Sequence, residues 1–299
     1  MDVNTSRELA DIAVEAARAV GDRLRGAFRS RPEIQTKRDF HDPVTVHDKA
    51  AEEDIRAVLE RRCPDSVVVG EEGGTRGEGA VRWYVDPIDG TANFAAGLPF
   101  FCTSIAAALD GEVVAGVVYD PVRDDEFTAW LGGAVCNGEP IRSAGAATER
   151  EAMLLSSYPT PRDLAEDEEG ALRRFSRMTQ AFAAIRRPGS AALKLAHVAA
   201  GWSDVAYGTR VNAWDVAAGS LLIEQAGGVY IPLSGSVFEP GGYLATVGGF
   251  DLAGSVLADV AESARAGRAE SARAGRAESA RAGRAESARG DVAGAGSSR

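Results

Sequence analysis

The chain carries the segment W-Y-V-D-P-I-D-G-T-A-N-F at residues 83–94. It opens with aromatic and β-branched residues, which predict a strand that ends at Asp86. Pro87 then predicts a tight turn, because its ring fixes one backbone angle and removes a hydrogen-bond donor. The turn would bring Asp89 close to Asp86, and two carboxylates held this close repel each other unless a cation lies between them. The segment therefore predicts a metal site rather than a surface turn with two solvated aspartates.

The ligand atoms indicate which metal such a site would hold. Carboxylate oxygens are hard ligands that suit Mg²⁺ and not zinc. Gly90 and Thr91 follow Asp89 directly, and their backbone N–H groups can point at a phosphate held by the same metal. The formal net charge of −11 agrees with this prediction, since an acidic protein needs bound cations to handle an anionic substrate.

Two further acidic segments are candidates for the same centre. G-E-E-G at residues 70–73 follows a predicted strand, so that Glu71 would lie at the edge of a sheet. Glu72 is interpreted as part of a charged loop. Trp214-Asp215 precedes a predicted helix, and Asp215 is interpreted as its N-cap, a position where aspartate is favoured. An N-cap aspartate still presents one oxygen outward, so it remains available as a metal ligand.

Hydrophobic periodicity predicts helices in both halves of the chain. The first has a Thr5–Glu8 capping box and ends before Pro32, and the others cover Thr45–Arg61, Leu172–Ala184, Ser190–Ala200 and Asp215 to about residue 226. Strands are predicted at residues 66–70, 82–85, 101–109, 113–119, 126–130, 135–141, 153–157, 185–187 and 205–207. An acidic, solvated loop is predicted at residues 163–170. The pattern indicates an antiparallel sheet followed by a mixed α/β half.

The composition changes abruptly near the C-terminus. The octapeptide A-E-S-A-R-A-G-R occurs three times from Ala261 and begins a fourth time. It has almost no side chain larger than alanine to bury, which predicts disorder for residues 261–299. The predicted organisation is an N-terminal α+β half with the metal site (1–150), an α/β half that completes the site (151–260), and this tail.

Composition also excludes several classes of protein. A net charge of −11 disfavours a nucleic-acid partner. Three cysteines without a C-x-x-C pair predict no disulfide framework and a reducing compartment. Residues 1–10 lack the features of a signal peptide, and no apolar run approaches the ~18–20 residues of a membrane span. We expect a cytoplasmic protein with neither membrane nor nucleic-acid partners.

Taken together, the motifs resemble those of the inositol monophosphatase family over about residues 5–260. The chain has, in order, Gly70-Glu71-Glu72, D-P-I-D-G-T-A-N-F at residues 86–94, Trp214-Asp215 and A-G-G-V at residues 226–229. The resemblance implies an α+β fold, the layered αβαβα sandwich of inositol monophosphatase and fructose-1,6-bisphosphatase, often found as a homodimer. It also implies a Mg²⁺-dependent phosphomonoesterase with two to three Mg²⁺ ions per site and a small phosphorylated metabolite as substrate.

Matched position by position, the resemblance implies a specific ligand set. The family's metal ligands fall on Glu71, Asp86, the carbonyl of Ile88, Asp89 and Asp215. Its D-x-x-T-x-x-D segment falls on Asp42, Thr45 and Asp48.

The same matching assigns catalytic and substrate-binding roles. Thr91, hydrogen-bonded to Asp48, and Glu71 are candidates to orient and deprotonate the attacking water. The family's G-T-A substrate segment falls on Gly189-Ser190-Ala191, whose alternative interpretation is a plain helix cap. The implied substrate contacts are Asp89, Gly90, Thr91, Gly189, Ser190, Ala191 and Asp215.

The chain departs from the family's pattern at Gly208, where the inositol enzymes usually have a glutamate that contacts substrate hydroxyls. Arg210 and Asn212 lie nearby in sequence and are candidates to replace part of that contact. The departure leaves the substrate open among inositol, histidinol, aminocyclitol and other sugar phosphates. An alternative of another class is a catalytically idle regulatory or binding protein on the same scaffold.

Other catalytic routes have no support in the sequence. Neither a G-x-S-x-G elbow nor a G-K-[ST] P-loop occurs, which argues against a serine nucleophile or nucleotide-driven transfer. His41 and His47 have no partner pattern and are interpreted as ordinary polar residues. His197 falls within a predicted helix and is interpreted as a packed residue.

Overall fold

The computed structural model describes residues 1–37 and 43–267. The helices are α1 Val3–Ala27, α2 Val46–Arg62, α3 Thr91–Ala96, α4 Pro161–Ala181, α5 Ala191–Ala199, α6 Ala213–Gln225 and α7 at residues 258–267. The strands are β1 Gln35–Thr36, β2 Pro43–Val44, β3 Ser66–Gly70, β4 Gly74–Gly77, β5 Val81–Asp89, β6 Cys102–Leu109, β7 Glu112–Asp120, β8 Asp125–Trp130, β9 Gly133–Cys136, β10 Glu139–Pro140, β11 Met153–Ser156, β12 Ala184–Arg186, β13 Val205–Thr209, β14 Val229–Pro232 and β15 Gly242–Thr246. The three cysteines are free thiols, as expected.

The first half builds an eight-stranded sheet in the order β10-β9-β8-β7-β6-β5-β3-β4. Both of its faces are covered, because successive residues of a strand point to opposite sides. On β6, Ile105 and Ala107 face the core formed with α1 and α2. Ala106, between them, faces the core shared with α5 and α6. The apolar alternation read from the sequence therefore places helices on both sides of this sheet.

The second half builds a five-stranded sheet in the order β12-β11-β13-β15-β14. Strand β11 runs parallel to both of its neighbours, β12 and β13. The chain crosses from β11 to β12 through α4 and returns past β11 to β13 through α5. Right-handed crossovers in opposite directions place their helices on opposite faces of a sheet. The layers therefore follow the order helix, sheet, helix, sheet, helix, and the predicted αβαβα sandwich is confirmed.

Local capping explains why the predicted starts of α1 and α4 are wrong. Helix α1 begins after Asp2, whose carboxylate accepts backbone N–H bonds from Asn4 (2.8 Å) and Thr5 (3.0 Å), so the Thr5–Glu8 capping box is not its start. Helix α4 begins at Pro161, after a capping box formed by Thr160 and Asp163. Residues 163–170, predicted as a loop, are therefore helical, with a kink at Asp167.

The C-terminal repeat starts inside the fold. Residues 261–267 belong to α7, and Ala261 and Ala264 are buried, so the disorder predicted from residue 261 is wrong for this part. Residues 268–299 lie outside the described part of the chain. Among the described residues, no helix combines the length and apolar character that a membrane span requires.

Close packing of α6 on β7 generates a stability prediction. A Cβ at Gly116 would lie 2.9 Å from the backbone Cα of Ala218, closer than van der Waals contact allows. We expect Gly116→Ala to lower the free energy of unfolding by about 1–3 kcal/mol, measured by urea denaturation. The control Gly26→Ala lies in α1 with open space around it, and should raise stability by up to about 1 kcal/mol. Equal effects of the two changes would contradict this packing argument.

Candidate metal centre

Three buried or half-buried aspartates converge where the two halves of the protein meet. Asp86 and Asp89 lie on β5, and Asp215 lies in the first turn of α6. One oxygen atom from each carboxylate lies within 4.8 Å of the others. Oxygen ligands on opposite sides of one Mg²⁺ ion are about 4.2 Å apart. The spacing is therefore compatible with a shared divalent cation.

Asp86 and Asp89 reach the same cluster through a β-bulge and not through the predicted tight turn. Asp86 pairs with Ser104 and Asp89 with Cys102, so β5 has two residues where β6 has one. Strict alternation would place residues three apart on opposite faces, and the bulge removes that conflict. Its shape is held by the Ile88 N–H, which donates to Asp86 Oδ1 (3.0 Å). Pro87 is tolerated here because its missing N–H falls in the irregular part of the strand.

Asp215 is the third residue of α6 and not its N-cap, which corrects the interpretation from sequence. Asn212 is the N-cap, and its backbone N–H donates to Asp215 Oδ2 (2.6 Å) in a capping box. The capping box fixes the side chain of Asp215 beside the first turn of the helix. The partial positive charge at this helix end favours a carboxylate there.

Burial raises the pKa of all three acids, and repulsion by neighbouring carboxylates adds to it for Asp86 and Asp215. Burial raises the pKa of Asp86 well above its ordinary value, and the neighbouring charges of Glu71, Asp89 and Asp215 raise it further. Burial also raises the pKa of Asp215 strongly, and Asp89 and Glu71 add to the shift. For Asp89, burial raises the pKa, while hydrogen bonds from Ser190 and Ala192 oppose the shift. The ionised cluster is costly by itself, and a divalent cation would remove that cost.

Glu71 lies outside the group of three aspartates, although its charge raises the pKa of Asp86, and its side chain pairs with a lysine that sequence reasoning did not identify. Lys37 Nζ lies 2.8 Å from Glu71 Oε1 and also pairs with Glu72. Burial would lower the pKa of Lys37, but the charges and hydrogen bonds of Glu71 and Glu72 together outweigh burial, and the net shift is upward. Glu72 lies in the charged turn between β3 and β4, as interpreted from the sequence, although its side chain is only 6% exposed. No local motif marks Lys37 in the sequence.

The predicted contact between Thr91 and Asp48 is present. Thr91 Oγ1 donates to Asp48 Oδ1 (2.8 Å) and lies 3.1 Å from the Ile88 carbonyl oxygen. Asp48 is 1% exposed, and its other oxygen accepts bonds from the backbone N–H (2.8 Å) and hydroxyl (2.6 Å) of Thr45. The orientation of Thr91 is therefore fixed by a carboxylate whose other oxygen is itself held by Thr45. Asp42, the third member of the predicted segment, lies outside the described residues.

The segment Gly189-Ser190-Ala191 lies directly against Asp89. Ser190 Oγ donates to Asp89 Oδ2 (2.8 Å), and the backbone N–H of Ala192 donates to the same oxygen (2.5 Å). Ser190 also caps α5, so the predicted cap and the position beside the site occur together. Gly189 has φ +91°, and a Cβ there would lie 2.5 Å from Asn93 Nδ2, so glycine suits this approach. Gly90, the N-cap of α3, has φ +102°.

The space beside Gly208 is filled by an aromatic ring. A Cβ at Gly208 would lie 2.8 Å from Tyr243 Cε1. The hydroxyl of Tyr243 is buried and finds no hydrogen-bond partner among residues 1–37 and 43–267. Lys194 is 2% exposed, with Nζ 5.8 Å from the centre of the Tyr243 ring and 2.8 Å from Ser157 Oγ. Burial lowers the pKa of Lys194 to about 8, although the charge of Asp89 opposes the shift.

Neither nearby residue proposed to replace the missing glutamate is placed as expected. Arg210 pairs with Glu166 and lies 3.7 Å from Asp163 Oδ1, both on α4. Asn212 is occupied as the N-cap of α6. Lys194 and Tyr243 were not identified from the sequence, because each lies within a regular element without any motif.

The described histidines have no catalytic arrangement. His197 contacts the rings of Phe100 (5.3 Å) and Trp202 (5.1 Å), and burial lowers its pKa to about 4. It is a neutral, packed residue, as predicted. His47 lies edge-on to Phe94 at 5.7 Å, and His41 lies outside the described residues.

The αβαβα fold and the cluster of three aspartates are the features to be matched with known proteins, and the comparison identifies the family. The inositol monophosphatase family model matches residues 5–276, and the chain belongs to this family. Inositol monophosphatase 2 of Solanum lycopersicum is 37% identical over 240 residues, covering 78% of this chain and 90% of that protein. The inositol monophosphatase structure from Anabaena (Nostoc) superimposes with a TM-score of 0.72 at 32% identity, covering 86% and 95% of the two chains.

A second relative carries a different kind of name. The protein called Nus factor SuhB in Pseudomonas aeruginosa is 40% identical over 235 residues, covering 76% of this chain and 86% of that protein. Membership of the family supports a phosphatase, and the acidic cluster described above is compatible with the family's general dependence on Mg²⁺.

The raised pKa of Asp86 generates a prediction about stability. A buried acid with a raised pKa lowers folding stability as pH rises from its ordinary pKa to its raised one. At neutral pH without Mg²⁺, Asp86→Asn should therefore raise the melting temperature. Wild-type protein should gain about 2.7 kcal/mol at a Mg²⁺ concentration 100 times the dissociation constant, and the variant much less.

Thermal denaturation with and without Mg²⁺ measures both effects. The exposed Asp110→Asn is the control, and it should respond to Mg²⁺ as the wild type does. A wild-type protein that Mg²⁺ does not stabilise would contradict the assignment of a metal centre.

Proposed function

We propose that the protein is a Mg²⁺-dependent phosphomonoesterase that hydrolyses a small polyol or sugar phosphate. The observation that carries the proposal is the convergence of Asp86, Asp89 and Asp215 within 4.8 Å, beside Glu71 and the Thr91–Asp48 pair. Buried like charges are retained in a fold at a cost, so the cluster favours a protein that binds cations. Membership of a phosphatase family makes a phosphate ester the natural substrate.

The residues present suit two magnesium ions. Glu71, Asp86 and the Ile88 carbonyl would hold one, and Asp86, Asp89 and Asp215 the other; the family resemblance adds a third, weaker ion near Glu71. Bound Mg²⁺ supplies charge neutralisation for the phosphoryl group and a water molecule that loses its proton more readily than bulk water. The oxygen-only donor set is the observation that favours Mg²⁺ over softer metals.

The side chains of this chain would orient the reactants. The Thr91 hydroxyl donates a hydrogen bond to Asp48. The lone pairs of the Thr91 oxygen therefore remain free to accept a hydrogen bond from the attacking water. Glu71 is the candidate base for that water. The backbone N–H groups of Gly90 and Thr91 would contact the phosphate. Asp89 and Ser190 lie on the side where the leaving alcohol would sit, and water there is the proposed source of its proton.

The substrate is proposed as inositol monophosphate or a similar compound. Tyr243 fills the space beside Gly208, so the hydroxyl-binding carboxylate of the inositol enzymes has no equivalent at this position. Losing such an acceptor reduces discrimination among polyols. Histidinol, aminocyclitol and other sugar phosphates are therefore the alternative substrates. A cytoplasmic homodimer, without membrane or nucleic-acid partners, completes the proposal.

A second candidate function is a regulatory or binding protein without catalysis. It is favoured by one observation: a relative 40% identical to this chain is named a Nus factor. The two candidates differ in one property: the phosphatase hydrolyses phosphate esters and needs the acidic cluster to do so, whereas the binding protein does not hydrolyse them.

Phosphate release separates these candidates. We expect Mg²⁺-dependent hydrolysis of at least one member of a panel containing inositol, histidinol, aminocyclitol and sugar phosphates. Asp89→Asn keeps the shape of the side chain and should lower turnover more than about a hundredfold, since loss of even an outer-shell partner typically costs 10–100-fold. Asp110→Asn is the matched control and should keep wild-type turnover. An active wild type with a fully active Asp89→Asn would contradict the ligand assignment, and an inactive wild type would favour the binding protein.

The role of Thr91 is tested by its hydroxyl. Thr91→Ala removes the group that orients the water, so we expect turnover to fall by about 10²-fold or more. The Mg²⁺ concentration for half-maximal activity should stay near the wild-type value. Thr91→Ser keeps the hydroxyl beside Asp48 and should retain most of the activity in the same steady-state assay. Equal losses in the two variants would show that the hydroxyl is not the relevant group.

A further inference from the structure

Helix α2 presents a second buried carboxylate one turn after Asp48. Glu52 is 1% exposed, like Asp48, and the two side chains lie on the same side of the helix because they are four residues apart. Asp48 contacts Thr91, as described above. Glu52 is not part of the acidic cluster and has no role in the proposed reaction, so its burial needs a separate explanation.

Glu52 is hydrogen-bonded to the turn that carries Glu71. The backbone N–H of Glu72 donates to Glu52 Oε2 (2.7 Å), and the backbone N–H of Gly73 donates to Oε1 (2.7 Å). Arg56 Nη2 also donates to Oε1 (2.9 Å). Hydrogen bonds to an ionised, buried acceptor are the strong class, so both oxygens hold the turn firmly.

The glycines on either side of the turn make this approach possible. A Cβ at Gly73 would lie 2.7 Å from Glu52 Oε1, and a Cβ at Gly70 would overlap the same carboxylate. The motif G-E-E-G thus contains glycine where the Glu52 carboxylate lies against the backbone. The acidic pair between them includes Glu71, whose charge raises the pKa of Asp86 in the metal centre.

The opposite side of the turn is fixed by β5. The backbone N–H of Glu71 donates to the carbonyl of Val85 (3.1 Å), the residue directly before Asp86. Consecutive backbone N–H groups at residues 71, 72 and 73 are therefore bound, the first to the strand and the next two to Glu52. Removing the Glu52 contacts would leave the backbone N–H groups of residues 72 and 73 without these partners and loosen the turn that carries Glu71.

We propose that Glu52 is a positioning residue that holds Glu71 in place for cation binding. The inference rests on the proposed function, because it concerns the affinity of the same site for Mg²⁺. Helix α2 then positions two parts of the site: Asp48 orients Thr91, and Glu52 holds the turn that carries Glu71. Glu52 acts through the backbone of residues 72 and 73 and contacts neither substrate nor metal.

Two variants distinguish position from charge. Glu52→Asp keeps the negative charge but withdraws the carboxylate by one methylene group, and Glu52→Gln keeps the length but loses the charge. If Glu52 acts by positioning Glu71, both variants should weaken Mg²⁺ binding by about tenfold, as is typical when a residue that orients a metal ligand is changed. An electrostatic effect alone predicts wild-type affinity for Glu52→Asp and would overturn the proposal.

Isothermal titration calorimetry with MgCl₂ gives the direct readout, and the Mg²⁺ dependence of phosphate release gives the second. We expect both variants to need about tenfold more Mg²⁺ while the substrate KM at saturating Mg²⁺ stays unchanged. Glu53→Gln is the matched control, since Glu53 is the next residue on α2 but pairs at the surface with Arg76 (3.2 Å). Wild-type Mg²⁺ affinity in folded Glu52 variants, or the same loss in Glu53→Gln, would overturn the inference.

A folding control keeps the test decisive. Arg56 is 2% exposed, and Glu52→Gln would leave its charge buried without a carboxylate, which destabilises a protein strongly. The double variant Glu52→Gln/Arg56→Met removes both charges, and we expect it to fold and to show the same weakened Mg²⁺ binding. A folded double variant with wild-type Mg²⁺ affinity would overturn the proposal. A wild type that neither binds Mg²⁺ nor releases phosphate would instead refute the proposed function itself.

Discussion

Repulsion among buried carboxylates is the constraint on which this structure depends. Asp86, Asp89 and Asp215 lie within 4.8 Å of one another, and burial with mutual repulsion raises the pKa of Asp86 and Asp215 strongly. In a protein stabilised by only about 5–15 kcal/mol, three ionised carboxylates this close together are a large cost. A bound divalent cation relieves this repulsion, and the free energy regained contributes to cation binding.

Every element near the cluster contributes to holding these charges together. A β-bulge in β5 turns two aspartates toward one point, and the capping box of α6 brings the third from the other half of the chain. Helix α2 supplies Asp48 and Glu52, whose hydrogen bonds fix Thr91 and the turn after Glu71. Since these elements belong to different layers, the αβαβα packing is what makes the site possible.

Alternating and 3.6-residue apolar patterns predicted most of the strands and helices, because such patterns mark buried faces directly, whereas the layered order was implied by the resemblance to the inositol monophosphatase family. The same resemblance implied the contact between Thr91 and Asp48, which is present. The sequence-based prediction was wrong where one motif is compatible with two local structures. Pro87 lies in a bulge instead of a tight turn, and Asp215 is the third residue of its helix instead of the cap. Lys37, Lys194 and Tyr243 were missed because tertiary packing alone brings them to the site.

The most direct test of the account is a crystal structure of the protein grown with Mn²⁺, a close substitute for Mg²⁺ whose anomalous scattering locates it. A metal centre at this site predicts anomalous peaks about 2.2 Å from carboxylate oxygens of Asp86, Asp89 and Asp215, distances typical of hard divalent cations. Crystals soaked at millimolar Mn²⁺ that show no peak between these three aspartates would contradict it.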